Sequence, residues 1–277
     1  TIHFSDGSTE TKYTSNEISV ARNHIVPMEQ FLCSPQQVPD DEIWYTTTTG
    51  KVLTLSVSDG FGANIVSNTY SNGKGVIKFD GPVTAIGPNI FQGKNLSSII
   101  LPDTITEIGE NAFSGCDKLT EINVDAENEH FCSFDGVLYD KGVTRLIRCP
   151  GAKTSIAIPS TVTTIEELAF FDCSLLKDFA LPASLATIEE QAFYGCSTLT
   201  RVNLPDNLQS IGNQAFCLCE NLESVSIGKN LSEMGISPFV GCGKLAHVTI
   251  DDANLSFTAI DNVVYAKKDV IMSTGMV

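Results

Sequence analysis

The 277-residue chain is short of positive charge and of the residue patterns that build most catalytic and metal sites. Lys and Arg number 17 against 33 Asp and Glu, for a net charge of −16 with histidine neutral. The clustered cations that neutralise phosphates are missing, which argues against nucleic acid as a partner. The same shortage argues against an anionic membrane surface. No apolar run approaches the roughly 20 residues that cross a bilayer as a helix, so no transmembrane segment is expected. The four histidines are His3, His24, His130 and His247, and none pairs with another at helical ligand spacing. There is no C-x-x-C, no G-x-S-x-G elbow, no P-loop and no G-x-G-x-x-G before a helix. The acidic pairs Glu166-Glu167 and Glu189-Glu190 recur at one repeat position, as solvated turns do. Asp125, Asp135, Asp140 and Asp251 lack the D-x-D-x-D-G loop of a calcium site. These absences lead us to expect no catalytic residues, no metal and no cofactor.

What is present is a repeat. Cys173, Cys196, Cys219 and Cys242 follow one another at 23 residues, and so do Phe170, Phe193, Phe216 and Phe239. Leu176, Leu199, Leu222 and Leu245 keep the same step, as do Ile165, Ile188, Ile211 and Met234. An earlier copy carries Ile108, Phe113, Cys116 and Leu119, and a degenerate one carries Ile86, Phe91 and Leu96. A 23-residue unit cannot bury its own apolar side, whereas stacked units bury theirs against each other. The L-x-x-φ-x-φ segment, with φ apolar, reads as a short strand with its apolar residues inward. The proline that usually follows ends it. The A-F-x-x-C segment predicts a short helical or 3₁₀ turn on the opposite side.

A second repetition has a period of 126 residues. It relates Ser133–Ile147 to Ala259–Met272, and each stretch begins where the strand-ending proline is replaced by Asp125 or Asp251. Asp135-Gly136 and Asp261-Asn262 stand between short apolar runs and signal hairpin turns. Each insert therefore predicts a small β-meander, with Tyr139 and Tyr265 packed inward. Cys132 and Cys149 occur together in the first insert and are replaced together, by Thr258 and Gly275, in the second. A disulfide across the meander and two unrelated free thiols both fit that pattern. The five repeat-position cysteines read as small buried hydrophobes.

The motif A-F-x-x-C-x-x-L-x-x-I-x-L-P and the FDGVLY insert resemble the BspA-type leucine-rich repeat family over roughly residues 75–277. The resemblance implies a curved, right-handed α/β leucine-rich-repeat solenoid on or outside a bacterial cell, after removal of a signal peptide not present in this chain. It also implies a non-catalytic adhesive role toward a protein or surface glycan, from host matrix or another cell. A structural spacer or self-assembling module is the alternative.

The expected organisation is a linker or tail of a preceding domain at 1–39, a β-rich N-terminal cap at 40–75, and the solenoid at 76–277, with inserts near 125–150 and 251–275. Trp44 and Tyr45 form another candidate patch, but a cap needs large apolar side chains against the first coil, so Trp44 is expected in the core. The outward strand positions form two columns. One holds Ser98, Glu121, Asp178, Arg201, Ser224 and His247; the next holds Ile100, Asn123, Ala180, Asn203, Ser226 and Thr249. A solvated sheet face and a recognition surface both fit such polar, mixed-charge columns. The partner-binding candidates are Glu121, Asn123, Asp178, Arg201, Asn203, Ser224, His247 and Thr249.

Overall fold

A computed structural model describes residues 37–55 and 59–267, together with the backbone of three two-residue strands nearer the N-terminus. His24, Cys33 and the end of the second insert, from 268 on, lie outside the described residues. The chain divides into two compact units, Thr1–Ser34 and Pro35–Val277. In the first, β1 (Ile2–His3) pairs antiparallel with β2 (Thr9–Glu10) and parallel with β3 (Ile18–Ser19).

The second unit is a β-solenoid of about seven turns. It opens with β4 (Glu42–Thr47), β5 (Ile65–Ser71) and β6 (Lys74–Phe79), whose outward and inward residues alternate. Two short strands, β7 (Ala85–Ile86) and β9 (Glu107–Ile108), flank β8 (Leu96–Leu101), and β10 (Glu121–Val124) follows. The five longer strands form one sheet in the order β10-β8-β4-β6-β5. Its β8–β10 pair is parallel and offset by one repeat, Ser98 facing Glu121 and Ile100 facing Asn123. Strand β4 joins β8 antiparallel. Tyr45 is its buried anchor: the hydroxyl donates to Asn68 Oδ1 at 2.7 Å and accepts from the Leu53 amide at 3.0 Å. Gly75 lies so close under that ring that a Cβ would come within 2.2 Å of it, so no other residue fits there.

The first insert is a meander of β11 (Phe131–Phe134), β12 (Val137–Asp140) and β13 (Arg145–Arg148). Strand β13 leads into the stacked pairs β14 (Thr164–Ile165) and β15 (Thr187–Ile188). Next come β16 (Arg201–Asn203), β17 (Ser210–Ile211), β18 (Ser224–Ile227), β19 (Glu233–Met234) and β20 (His247–Ile250). The second insert supplies β21 (Phe257–Ile260) and β22 (Val263–Ala266). One face of the later coils is the parallel sheet β16-β18-β20. Another is the sheet β11-β12-β13-β14-β15-β17-β19.

The A-F-x-x-C segments are not helical, contrary to the expectation for them: no helix occurs among the described elements. Each coil carries two left-handed residues around its Phe, such as Gln191 (φ 51°) and Gly195 (φ 73°), or Gln214 (φ 52°) and Leu218 (φ 57°). That backbone cannot continue a right-handed helix. Its amides instead reach forward to the next coil, Phe170 N to Ala192 O at 2.7 Å and Phe193 N to Ala215 O at 2.7 Å. The phenylalanines stack in consequence, with ring centroids 4.7 Å apart for Phe170–Phe193, 4.9 Å for Phe193–Phe216 and 5.5 Å for Phe216–Phe239. The cysteines do more than fill space. Cys116, Cys196, Cys219 and Cys242 each donate Sγ–H to the carbonyl of the Phe one coil back, at 2.9–3.2 Å.

The ladder breaks where the first insert enters. Phe91 and Phe113 stack at 5.6 Å, but the next Phe in the column is Phe170, and the segment around Arg148 and Cys149 lies between. Cys149 N donates to Ala169 O at 2.8 Å, the role a Phe amide plays elsewhere. The buried Arg148 guanidinium bridges the break, donating to the carbonyls of Leu168, Phe113 and Phe171. A cleft of about 200 Å³ remains there, bounded by Ile108, Glu110, Phe113, Arg148, Glu166 and Leu168.

Candidate partner-binding surface

The repeat register decides which side chains share a face. Within β16-β18-β20, Arg201, Ser224 and His247 stand abreast, as do Asn203, Ser226 and Thr249. Between these columns, Val202, Val225 and Val248 point into the core and are at most 7% exposed. Arg201, Asn203, His247 and Thr249 are exposed, and Ser224 is half-buried. Neighbouring coils bind each other across the columns, with Ser226 Oγ 2.9 Å from Asn203 Oδ1.

Asp178 joins this group by an unexpected route. The segment around it forms no regular strand. Its carboxylate stands in for the missing ladder: it accepts from the Thr200 amide (2.7 Å), the Thr200 hydroxyl (2.6 Å) and the Arg201 amide (3.3 Å). Arg201 Nε lies 3.3 Å from Asp178 Oδ2. Burial pushes the Asp178 carboxyl up, but these hydrogen bonds and the Arg201 charge outweigh it and hold the pKa below the ordinary aspartate value.

Glu121 and Asn123 lie instead on the five-stranded sheet, where Asn123 Nδ2 donates to Glu121 Oε2 at 3.0 Å. The expected single column is therefore shared between two sheets. Trp44 departs from expectation in the other direction. The inward residues of β4 are Ile43, Tyr45 and Thr47, and Trp44 stands on the outward side with Glu42 and Thr46. Strand alternation requires this once Tyr45 is the core residue. The Trp44 indole N–H donates to Glu42 Oε2 at 2.7 Å, and the Lys74 ammonium sits 2.8 Å from the centre of the ring.

Cys132 and Cys149, for which a bridge and two free thiols both fitted the sequence, are free thiols in this structure. Cys132 Sγ donates to Asp140 O at 3.2 Å, whereas Cys149 Sγ donates to Pro150 O at 3.7 Å and the Cys149 carbonyl accepts from Cys173 Sγ in the neighbouring coil at 3.7 Å. Tyr139 is fully buried as expected, while Tyr265 is 42% exposed. Among the described residues, no group of three or more His, Cys, Asp or Glu is arranged to hold a metal ion, and no helix is long and apolar enough to cross a membrane.

Two residues that hold the inserts in place escaped the sequence reading. Asn128 donates to Ile105 O (2.8 Å) and Pro102 O (3.3 Å) and accepts from the amides of His130 (2.8 Å) and Phe131 (2.7 Å). Asn254 repeats all four bonds, with Gly228 O, Leu231 O, Ser256 N and Phe257 N as partners. The available signal was D-x-x-N at both insert starts, Asp125 to Asn128 and Asp251 to Asn254.

Residues 64–134 and 149–270 match the BspA type leucine rich repeat region in six copies, which covers well over half of the chain. The chain belongs to the BspA type leucine rich repeat family. A leucine rich cell surface protein from Faecalibacterium prausnitzii A2-165 is similar in solved structure, at 29% identity and a TM-score of 0.50, over 61% of this chain and 52% of that one. A leucine-rich repeat protein from Eubacterium ventriosum matches at 25% identity and 0.48, over 56% of this chain and 50% of that one. The pneumococcal vaccine antigen PcpA matches at 25% and 0.48, over 65% and 54%. This BspA-type chain thus spans about half the length of these three solved structures. No curated protein matches it.

Proposed function

We propose that this chain is a non-catalytic binding module displayed on or outside a bacterial cell, recognising a protein or a surface glycan through the outward residues of its stacked strands. The observation that carries this reading is the register of β16, β18 and β20, which sets Arg201, Ser224 and His247 in one row and Asn203, Ser226 and Thr249 in the next on a preformed sheet. Such a surface forms many polar contacts at little ordering cost, and repeated display multiplies their strength. Glu121, Asn123 and Asp178 extend the set. The family membership and the cell-surface relative support an extracellular location. Strands β4–β6 then act as the cap that covers the first coil, with 1–39 as a linker or tail of a preceding domain and 76–277 as the solenoid.

The exposed apolar side chains Ile236 (76%) and Leu255 (88%) favour a second reading, a structural spacer or self-assembling module. One experiment separates the two. The chain is applied to an array of matrix proteins and surface glycans beside a variant with Glu121, Asp178, Arg201 and His247 all changed to Ala. A saturable hit that the folded variant loses supports recognition through the strand face. No hit, together with concentration-dependent self-association, supports the spacer.

A further inference from the structure

Trp44 is the chain's single tryptophan and stands at the centre of the outward row Asn123, Ile100, Trp44, Val76 and Thr69 across the five-stranded sheet. Its neighbours Ile100 and Val76 are half-buried and give the ring an apolar flank. Its indole N–H is tied to Glu42 Oε2, which fixes the ring plane and sets a carboxylate beside it. A cation already sits on the exposed face: the Lys74 ammonium, 2.8 Å from the ring centre. Lys74 directly follows the tight turn at Asn72 (φ 51°) and Gly73 (φ 80°), at the solvent-exposed tip of the β5–β6 hairpin. Aromatic face, adjacent carboxylate and apolar flank together are what a cationic side chain with an alkyl stem requires.

We propose that the Trp44 face of this sheet docks a Lys or Arg side chain of a basic protein partner, and that Lys74 is the internal cation which that side chain displaces. The proposal rests on the binding reading above and names the partner's chemistry. Charge complementarity supports it: the chain carries −16 overall, and Asp41, Glu42 and Glu121 lie on strands of this sheet or beside them. Lys74 holds its seat at a cost. Burial partly desolvates its ammonium and lowers its pKa, with the Glu42 charge opposing. Lys78 cannot take its place, being held by Asp41 at 3.1 Å and Glu42 at 3.4 Å.

The test titrates the chain with hexa-arginine blocked at both ends, at physiological salt. Trp44 emission is followed as a site-specific reporter, with calorimetry in parallel. The expected result is a saturable emission change, about 2- to 5-fold tighter binding by Lys74→Ala, and binding weakened about 5-fold or more by Trp44→Leu with its circular dichroism unchanged. Glu42→Gln, which keeps a hydrogen-bond acceptor for the indole, weakens binding in the same direction and serves if Trp44→Leu misfolds. An affinity unaltered in Trp44→Leu and Glu42→Gln overturns the proposal, since the peptide then follows net charge alone. A flat emission titration in both the wild type and Lys74→Ala overturns it, as does a saturable response to a neutral oligosaccharide with none to the peptide. If the peptide fails here while the four-residue column variant still loses its array partner, only this inference falls. If the column variant keeps that partner while the peptide binds at Trp44, the strand-column reading falls instead.

Discussion

Asn128→Ala tests whether the first insert is held by one side chain. Asn128 is fully buried, and its amide satisfies two backbone carbonyls of one coil and two backbone amides of the next segment. Each such bond contributes about 1 kcal/mol net, and truncation leaves all four backbone groups without their partner. A water entering the vacated polar space recovers part of the loss. The expected cost is about 3 kcal/mol, which lowers the melting temperature by roughly 6–12 °C for a chain of this size. Asn254→Ala is the internal control, because its four bonds are the same but its surroundings differ. Val137 and Tyr139 are fully buried in the first insert, whereas their counterparts Val263 and Tyr265 are 49% and 42% exposed. The second insert is therefore more weakly covered than the first and free to open on its own. Urea unfolding with amide exchange should show a global loss for Asn128→Ala. For Asn254→Ala it should show lost protection confined to 251–267 and a global cost below about 1 kcal/mol. A global cost below about 1 kcal/mol for Asn128→Ala, or equal costs for the two variants, would refute the reasoning.

Three further outcomes are expected. The Asp178 carboxyl has a lowered pKa in the folded state, so its contribution is present above the ordinary aspartate pKa near 3.8 and fades as pH falls through the lower folded value. Thermal melts between pH 5 and pH 2 should show a smaller acid-side loss for Asp178→Asn than for the wild type; identical slopes would count against the carboxylate's role. Tyr139 carries a buried hydroxyl without a hydrogen-bond partner, so Tyr139→Phe should leave stability unchanged or raise it by up to about 1 kcal/mol, and a clear destabilisation in urea would contradict that. Burial pushes the Cys132 thiol up to about 11, so native alkylation at pH 8, followed by mass spectrometry, should label it only slowly. Labelling at the rate of an unfolded control would show that the thiol is not buried.

The column logic of the repeat was legible because stacking forces equivalent residues into equivalent places. Phe193, Cys196, Leu199 and Ile188 are all at most 1% exposed, as their 23-residue periodicity requires. The A-F-x-x-C segment misled because its composition suits a helical turn. The deciding feature is backbone: left-handed residues such as Leu168 (φ 58°) and Ser237 (φ 50°) are not types that announce that conformation. Trp44 and Tyr45 were indistinguishable by size. Only the pairing of Tyr45 with Gly75 and Ile99 across the sheet decides which one faces inward. Cys149 drew notice by its absence from the second insert, but its place is set by the stack, where its carbonyl accepts from Cys173 Sγ at 3.7 Å. The joining of Asp178 to the Arg201 column depends on a side chain replacing backbone hydrogen bonds, which no periodicity encodes.

The central claim is that the outward strand residues recognise a partner. Its most direct test is the calorimetric affinity of the best array ligand for the wild type and for the variant with Glu121, Asp178, Arg201 and His247 changed to Ala, at equal salt and with both shown to be folded. The account predicts at least a tenfold loss of affinity in the variant, about 1.4 kcal/mol. Equal affinities would contradict it and move recognition away from the strand face.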